Sequence, residues 1–351
     1  MSGTIRAVNI RNGKGPAEAL FIDDTVPKPT LKAGQALVEV KAFGLNRMDL
    51  VQRSAFYPIP PGASEILGVE FAGVIKEIHP EGTSNLDDGA GKKFAVGDRV
   101  LGLISGGAYS ELVAAPLKTL LHLPEQMPFT EGAGIPQVWF TAYQVLKVVG
   151  GLSKDQSLLI HAGASGVGIA AIQIAQIIGA RRIFATVGSD DKKDFIANKL
   201  RLKGTADGVI VPINYHTEDF VEVIKKIEPR GIDVTIDPVG PSYFAKNIAV
   251  AGLDGTIVII GAMSGNVFKD EVDIRLILGK RLSIVGSTLR SRTLDYQQQL
   301  RDFLAQVLLP KIVSKEVTHS TEKVFEFNQI VEAHKVMESN KTMGKLIVKT
   351  N

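Results

Sequence analysis

The sequence predicts an α/β protein of two domains, one a small barrel-like β unit and the other a mostly parallel, doubly wound sheet. Three features carry that prediction. Over residues 1–125, short apolar or alternating segments recur between Gly and Pro turns; beyond about residue 130, strand-length apolar runs alternate with helical patterns; and a Gly-rich turn, HAGASGVG at 161–168, joins a strand to a helix.

Size and composition agree with this. With 351 residues, 45% of them hydrophobic and 22% charged, the chain can bury real cores, and its scattered glycines and prolines fit neither disorder nor a fibrous repeat. The 40 basic residues barely exceed the 37 acidic ones and are spread along the chain, so a nucleic-acid partner is not expected. The most apolar stretches, such as 248–262, are strand-sized and interrupted, and MSGTIRAVNIRNG lacks a signal core; no membrane segment and a cytoplasmic location are the expectation. The chain has no cysteine, which removes disulfides, iron–sulfur ligation and thiolate zinc sites. His79, His122, His161, His216, His319 and His334 show no H-E-x-x-H or other close ligand spacing, so no metal is expected either.

In chain order, TIRAVNI, QALVEVKAF, FAGVIKEI, DRVLGL and YSELVAAP read as the strands of the first domain, with NRMDLVQR a short helix. Residues 79–98 read as an exposed loop or extended hairpin. WFTAYQVLKVVG then reads as a helix and SLLIHAG as a strand, and Ile169, Ile172, Ala175 and Ile178 fall at near-helical intervals before RRIFATVGS returns to strand. Residues 198–211 form a long bridge between strands; GVIVPINY is a strand, and Thr217 is the expected cap of the helix VEVIKKIE. GIDVTIDPVG, GTIVIIGAM and RLSIVGSTL are further short strands, and the tail supplies helices and a last strand. The domain boundaries that follow are 1–128, 129–285 and a C-terminal segment 286–351.

The chemistry centres on the turn. Read against G-x-G-x-x-G, Gly163 makes the tight turn, Ser165 stands in the second glycine position and Gly168 lets the helix approach the sheet. Amides around Ser165, Gly166 and Val167 would face a pyrophosphate at the positive helix end. NAD sites place an acid about twenty residues past the first glycine. Here the strand ends in Gly188-Ser189 with Lys192 following, which leaves room for a 2′-phosphate, a donor and a charge, and favours NADPH; Asp190 and Asp191 stay open as ribose ligands or helix caps. Tyr215, Asp237 and the run Gly261, Ala262, Met263, Ser264 fall at the carboxyl ends of later strands, where open sheets bind ligands. In the first domain, Asn46 begins a short helix and Tyr57 follows on a Pro- and Gly-rich loop; an amide there can hold a ribose hydroxyl or carboxamide, and a phenol can donate to a substrate oxygen.

GLNRMDLVQR, YPIPPGASEILGVEFAGVI, IPQVWFTAYQVL, HAGASGVGIAAIQIA, GSTLRSR and AHKVMESNKTMGKLIV together resemble the zinc-free quinone oxidoreductase branch of the medium-chain dehydrogenase/reductase superfamily, over essentially the whole chain. Within it the chain is most similar to the p53-inducible quinone oxidoreductase-like proteins. The resemblance implies a GroES-like catalytic domain, a Rossmann domain, a tail returning to the first domain, an active site in the interdomain cleft and a homodimer. It puts Asn46 where zinc-dependent relatives place a cysteine ligand, and Gly68-Val69-Glu70 where they carry a histidine. It implies Tyr57 as a residue lining the quinone site, and Thr141, Ser287, Thr288, Leu289 and Asn340 as further cofactor contacts. The activity implied is hydride transfer from NADPH to a quinone, with an alkenal or enoyl reductase, and an NADPH-binding sensor with little turnover, as the alternatives.

Overall fold

The computed structural model describes residues 3–83, 86–268 and 271–350. The chain opens with β1 (Thr4–Ile10), β2 (Leu20–Pro27) and β3 (Gln35–Gly44), followed by the helix Arg47–Arg53, β4 (Glu70–Ile78), β5 (Arg99–Leu103), β6 (Leu112–Pro116) and β7 (Leu120–His122). It continues through β8 (Ser157–Ile160), β9 (Arg182–Val187), β10 (Ile210–Asn214), β11 (Ile232–Asp237), β12 (Ala251–Ile259) and β13 (Ser283–Gly286), and ends with β14 (Thr321–Glu326) and β15 (Lys345–Lys349).

Two compact units result, one of residues 1–140, 290–315 and 319–351, the other of 141–289 and 316–318. In the first unit β1 and β2 form an antiparallel pair, and a seven-stranded sheet runs β14-β15-β3-β4-β5-β7 with β6 on β3. Register breaks between Leu37 and Val38 and between Val40 and Ala42 bend the long β3 across its neighbour β4, as bulges do. Apolar side chains alternate inward along these strands, so Val38, Val40, Phe43, Phe71, Ile75, Val100 and Leu120 share one core with Phe325 and Val348 from the end of the chain. The segment after Asp87 is pinned, with Asp87 bridging to Lys93 and Asp88 bonded to His122 Nδ1 at 2.8 Å.

The second unit is a six-stranded sheet in the order β10-β9-β8-β11-β12-β13, all pairs parallel. Numbered from its own first strand this is 3-2-1-4-5-6, the doubly wound order in which ligands bind where the order reverses, at the carboxyl end of the first strand. That strand is β8, whose four residues are all buried, as a central parallel strand requires.

Four boundaries differ from the sequence reading, the first being that the second unit runs to residue 289 and not 285. Residues 129–140 belong to the first unit, because Gln137 N–H donates to Glu70 Oε2 at 2.9 Å and Trp139 Nε1–H to His319 Nδ1 at 3.3 Å. Residues 316–318 belong to the second, because Gln173 and the Thr318 backbone exchange hydrogen bonds at 2.8 and 2.6 Å. Asp219, not Thr217, caps the helix Phe220–Ile227, its Oδ1 accepting from Val221 N–H at 2.7 Å.

Candidate active site

Because every pair in the second sheet is parallel, one edge collects the residues that follow each strand. Gly163 to Gly168 come after β8, Gly188 and Ser189 after β9, Tyr215 after β10, Gly261 to Ser264 after β12 and Ser287 to Leu289 after β13, with Asp237 ending β11. Thr141 lies on the helix Pro136–Tyr143 that leads into this unit.

The turn after β8 is defined by what it excludes. A Cβ on Gly168 would stand 2.5 Å from Gly163 O and 2.6 Å from Ala162 O, so only glycine permits the helix Gly166–Ile178 to start this close to the strand. Ser165 caps that helix, its Oγ accepting from Gly168 N–H at 3.1 Å. The side chain in the second glycine position therefore takes one first-turn amide, while those of Gly166 and Val167 have no acceptor within the helix. At the end of β9, a Cβ on Gly188 would come within 2.5 Å of Tyr215 Oη, so the small residue leaves room for the phenol in this position. Ser189 caps the next helix by accepting from Lys192 N–H at 3.3 Å, which leaves its hydroxyl proton to donate outward. Asp190 Oδ1 is held by Asn214 Nδ2–H at 2.9 Å.

Asp237 lies deeper than its place at a strand end suggests. It is fully buried; Oδ1 accepts from the N–H groups of Val239 and Gly240 at 2.7 and 2.9 Å, and Oδ2 from Asn247 Nδ2–H at 3.0 Å. Asn247 Oδ1 must then accept from His161 Nε2–H at 2.7 Å, and His161 Nδ1 from the Thr186 hydroxyl at 2.9 Å. Burial lowers the His161 pKa to about 4, keeping it neutral beneath the turn. Asp237 thus shapes, through backbone bonds, the loop 238–240 that leads into the helix Pro241–Val250. Ser264 Oγ closes that loop, donating to Val239 O at 2.8 Å.

The candidate residues of the first unit sit in a buried polar cluster. Asn46 Nδ2–H donates to Glu70 Oε1 at 2.9 Å, and Lys345 Nζ donates to Asn46 Oδ1, Glu70 Oε1 and Leu45 O at 2.8, 2.5 and 2.6 Å. A donor-only ammonium on one side and an acceptor-only carboxylate on the other fix which way the amide faces. Glu70 is 0% and Lys345 4% exposed as side chains, a charge pair tolerable in an apolar interior only because each partner is also hydrogen-bonded. Beside it Asp49 Oδ2 accepts from Asn46 N–H at 2.8 Å and Tyr109 Oη–H at 2.9 Å, while Oδ1 is buried without a partner. Burial pushes the Asp49 carboxyl up to about 6. Arg53 donates to His334 Nδ1 at 2.9 Å, which leaves His334 Nε2–H to face Tyr109 Oη at 3.3 Å. Asn340 is held by the Arg47 guanidinium through Oδ1.

Tyr57 is half-buried, its ring 5.5 Å from the Arg290 guanidinium carbon. Glu70, Lys345, Asp49, His161 and Arg290 carry no site role in the sequence reading. A charge inside an apolar run, as in LGVEFAGVI and GKLIVK, was the available signal for the first two.

Among the described residues no three His, Asp or Glu side chains gather as metal ligands, and no helix is long and apolar enough to cross a membrane.

Comparison with known proteins adds independent findings. The alcohol dehydrogenase GroES-like domain family matches residues 32–125, and the zinc-binding dehydrogenase family matches residues 166–306. The synaptic vesicle membrane protein VAT-1 homolog of Danio rerio is 31% identical over 99% of this chain and 70% of its own length. The quinone oxidoreductase of Homo sapiens is 28% identical over 98% of this chain and 97% of its own. The crystal structure of Escherichia coli quinone oxidoreductase complexed with NADPH superposes with a TM-score of 0.81 at 26% identity, covering 99% of this chain and all of that one.

Proposed function

From its place in the quinone-oxidoreductase and VAT-1-like branch of the medium-chain dehydrogenase/reductase superfamily, to which the chain belongs, we propose that it is an NADPH-dependent, zinc-independent reductase of quinones. The observation that carries this reading is the turn at the switch point of the parallel sheet, closed to side chains at Gly168 and opening the amides of Gly166 and Val167. Those amides, at the positive end of a 13-residue helix, hold a pyrophosphate. The Ser189 hydroxyl and the Lys192 ammonium take the 2′-phosphate, for which the engagement of Asp190 by Asn214 leaves room. Tyr215 borders the adenosine; Thr141, Gly261 to Ser264, Ser287 to Leu289 and Asn340 border the remainder.

Bound NADPH supplies the hydride. The protein orients the acceptor and excludes water. The Tyr57 hydroxyl donates to the acceptor oxygen as negative charge develops there, and protons reach the product from solvent. The Asn46 amide, held between Lys345 and Glu70, is the group assigned to a ribose hydroxyl. Without cysteine, with Asn46 and Val69 in the ligand positions, this chain lacks the residues that the zinc-dependent members of the superfamily use as ligands.

The test is NADPH and NADH oxidation measured side by side with ortho-quinones, para-quinones and 2-alkenals. Preference for NADPH with quinone turnover is expected. Turnover of alkenals alone makes it an alkenal reductase, and tight NADPH binding without consumption makes it a sensor. The same reading includes a cytosolic location, tested by fractionation, and a homodimer. For the dimer, β13 is an edge strand, and the adjacent helix Ile274–Lys280 exposes Ile274 by 72% and Leu278 by 80%. Light scattering at twice the chain mass is the expected result.

A further inference from the structure

We propose that Arg290 is the positioning residue for Tyr57: its guanidinium, buried against the tyrosine ring, fixes the phenol and strengthens its O–H as a donor to the acceptor oxygen. The inference rests on Tyr57 as the residue that meets the acceptor.

Arg290 is 7% exposed, yet among the described residues no carboxylate forms an ion pair with it. Its Nε donates to Ser105 O at 2.6 Å and its Nη1 to Gln52 Oε1 at 2.7 Å; Nη2 is buried with no partner. Gln52 is itself fixed, its Nε2–H donating to Glu65 O at 3.1 Å. Nη2 lies 3.2 Å from where a Cβ on Gly106 would stand, so the guanidinium packs closely over that glycine. Burying a cation without a counter-charge is costly, and a fold that merely needed packing here would use an apolar residue.

Besides its two hydrogen bonds, this cation faces the Tyr57 ring, 5.5 Å from its carbon, within cation–π range. A cation against the ring draws electron density from the phenol and makes its proton easier to share. Burial raises the Tyr57 phenol pKa and the Arg290 charge opposes that rise; Asp49 is the carboxylate that acts on Arg290 in turn. Two uncharged anchors, a backbone carbonyl and an amide oxygen, hold the guanidinium in place without pairing its charge.

The experiment combines titration with a double-mutant cycle in the full chain. Tyrosine labelled with 13C at Cζ reports the Tyr57 ionisation directly, its signal assigned by loss in Tyr57→Phe. Arg290→Gln should raise the Tyr57 pKa by about one unit, and Arg290→Lys, which keeps a cation, should raise it by less. In turnover, Arg290→Gln should lower kcat for quinones about tenfold with little change in KM, and should have no further effect in the Tyr57→Phe background. An unchanged Tyr57 titration, or an equal loss from Arg290→Gln with and without the phenol, overturns the proposal. If Tyr57→Phe alone leaves turnover intact, the Tyr57 reading fails and the catalytic part of this inference with it, while the titration still decides whether the two residues are coupled. Should Arg290→Gln not fold, Gln52→Leu loosens the guanidinium while keeping its charge; a rise in the Tyr57 pKa supports the proposal and no shift overturns it.

Discussion

The turn after β8 and the cluster under Asn46 are held by opposite means. The turn is made of backbone, within six consecutive residues, and its shape depends on atoms being absent at Gly168. The cluster is made of side chains drawn from residues 46, 70 and 345, and depends on charges being present. One should therefore break when an atom is added, and the other when a charge is removed.

The largest effect is expected in the cluster. Lys345→Met removes one partner of the buried pair and leaves Glu70 uncompensated, and should cost about 3–5 kcal/mol of stability, measured by urea unfolding; the double variant Lys345→Met/Glu70→Gln should recover part of it.

Second comes the pH response of the same region. The Asp49 carboxyl titrates at about 6 in the folded protein against 3.8 for the free group. Between these values the native state keeps a proton that the unfolded chain has released, so stability falls as pH rises from about 4 to 6 and then levels off. Below about pH 4 both states are protonated and the contribution vanishes. Asp49→Asn lacks this component, and its stability relative to wild type should improve by about 3 kcal/mol between pH 4 and 7. The neutral buried His161, His319 and His334 work in the other direction as pH falls, but they are common to both proteins and cancel in the difference. A constant difference across that range would show that Asp49 titrates normally.

Two smaller effects test the turn. Gly168→Ala pushes a Cβ against Gly163 O and Ala162 O and should cost about 1–3 kcal/mol, with NADPH affinity down by more than tenfold, read by fluorescence titration. Ser165→Ala removes a cap, not a shape. It should lower stability by about 1 kcal/mol and change NADPH affinity less than threefold; a large loss of affinity would mean that the Ser165 hydroxyl itself holds phosphate.

Legibility follows the same division. The parallel sheet and its turn were readable because their signals are local: apolar runs of strand length, and glycines a few residues apart. Asp237, at a strand end, reads from sequence either as a ligand contact or as a turn cap, and its bonds to the Val239 and Gly240 N–H groups and to Asn247, ten residues on, are those of a cap. Thr217 and Asp219 are both competent caps, and burial of Phe220 and Val221 selects the second. β14 was missed because Phe325 is the single buried residue in TEKVFE, too little alternation to mark a strand. The charges of Glu70 and Lys345 look like solvated ones until strands 275 residues apart meet.

That separation bears on how the protein is made. Glu70 and its cation are 275 residues apart, so at a synthesis rate of 5–20 residues per second roughly 14 to 55 seconds pass between them. For that interval the first sheet lacks β15 and the carboxylate lacks its partner, and within it the whole of the nucleotide-binding unit, residues 141–289 and 316–318, is made. The unit begun first is finished last.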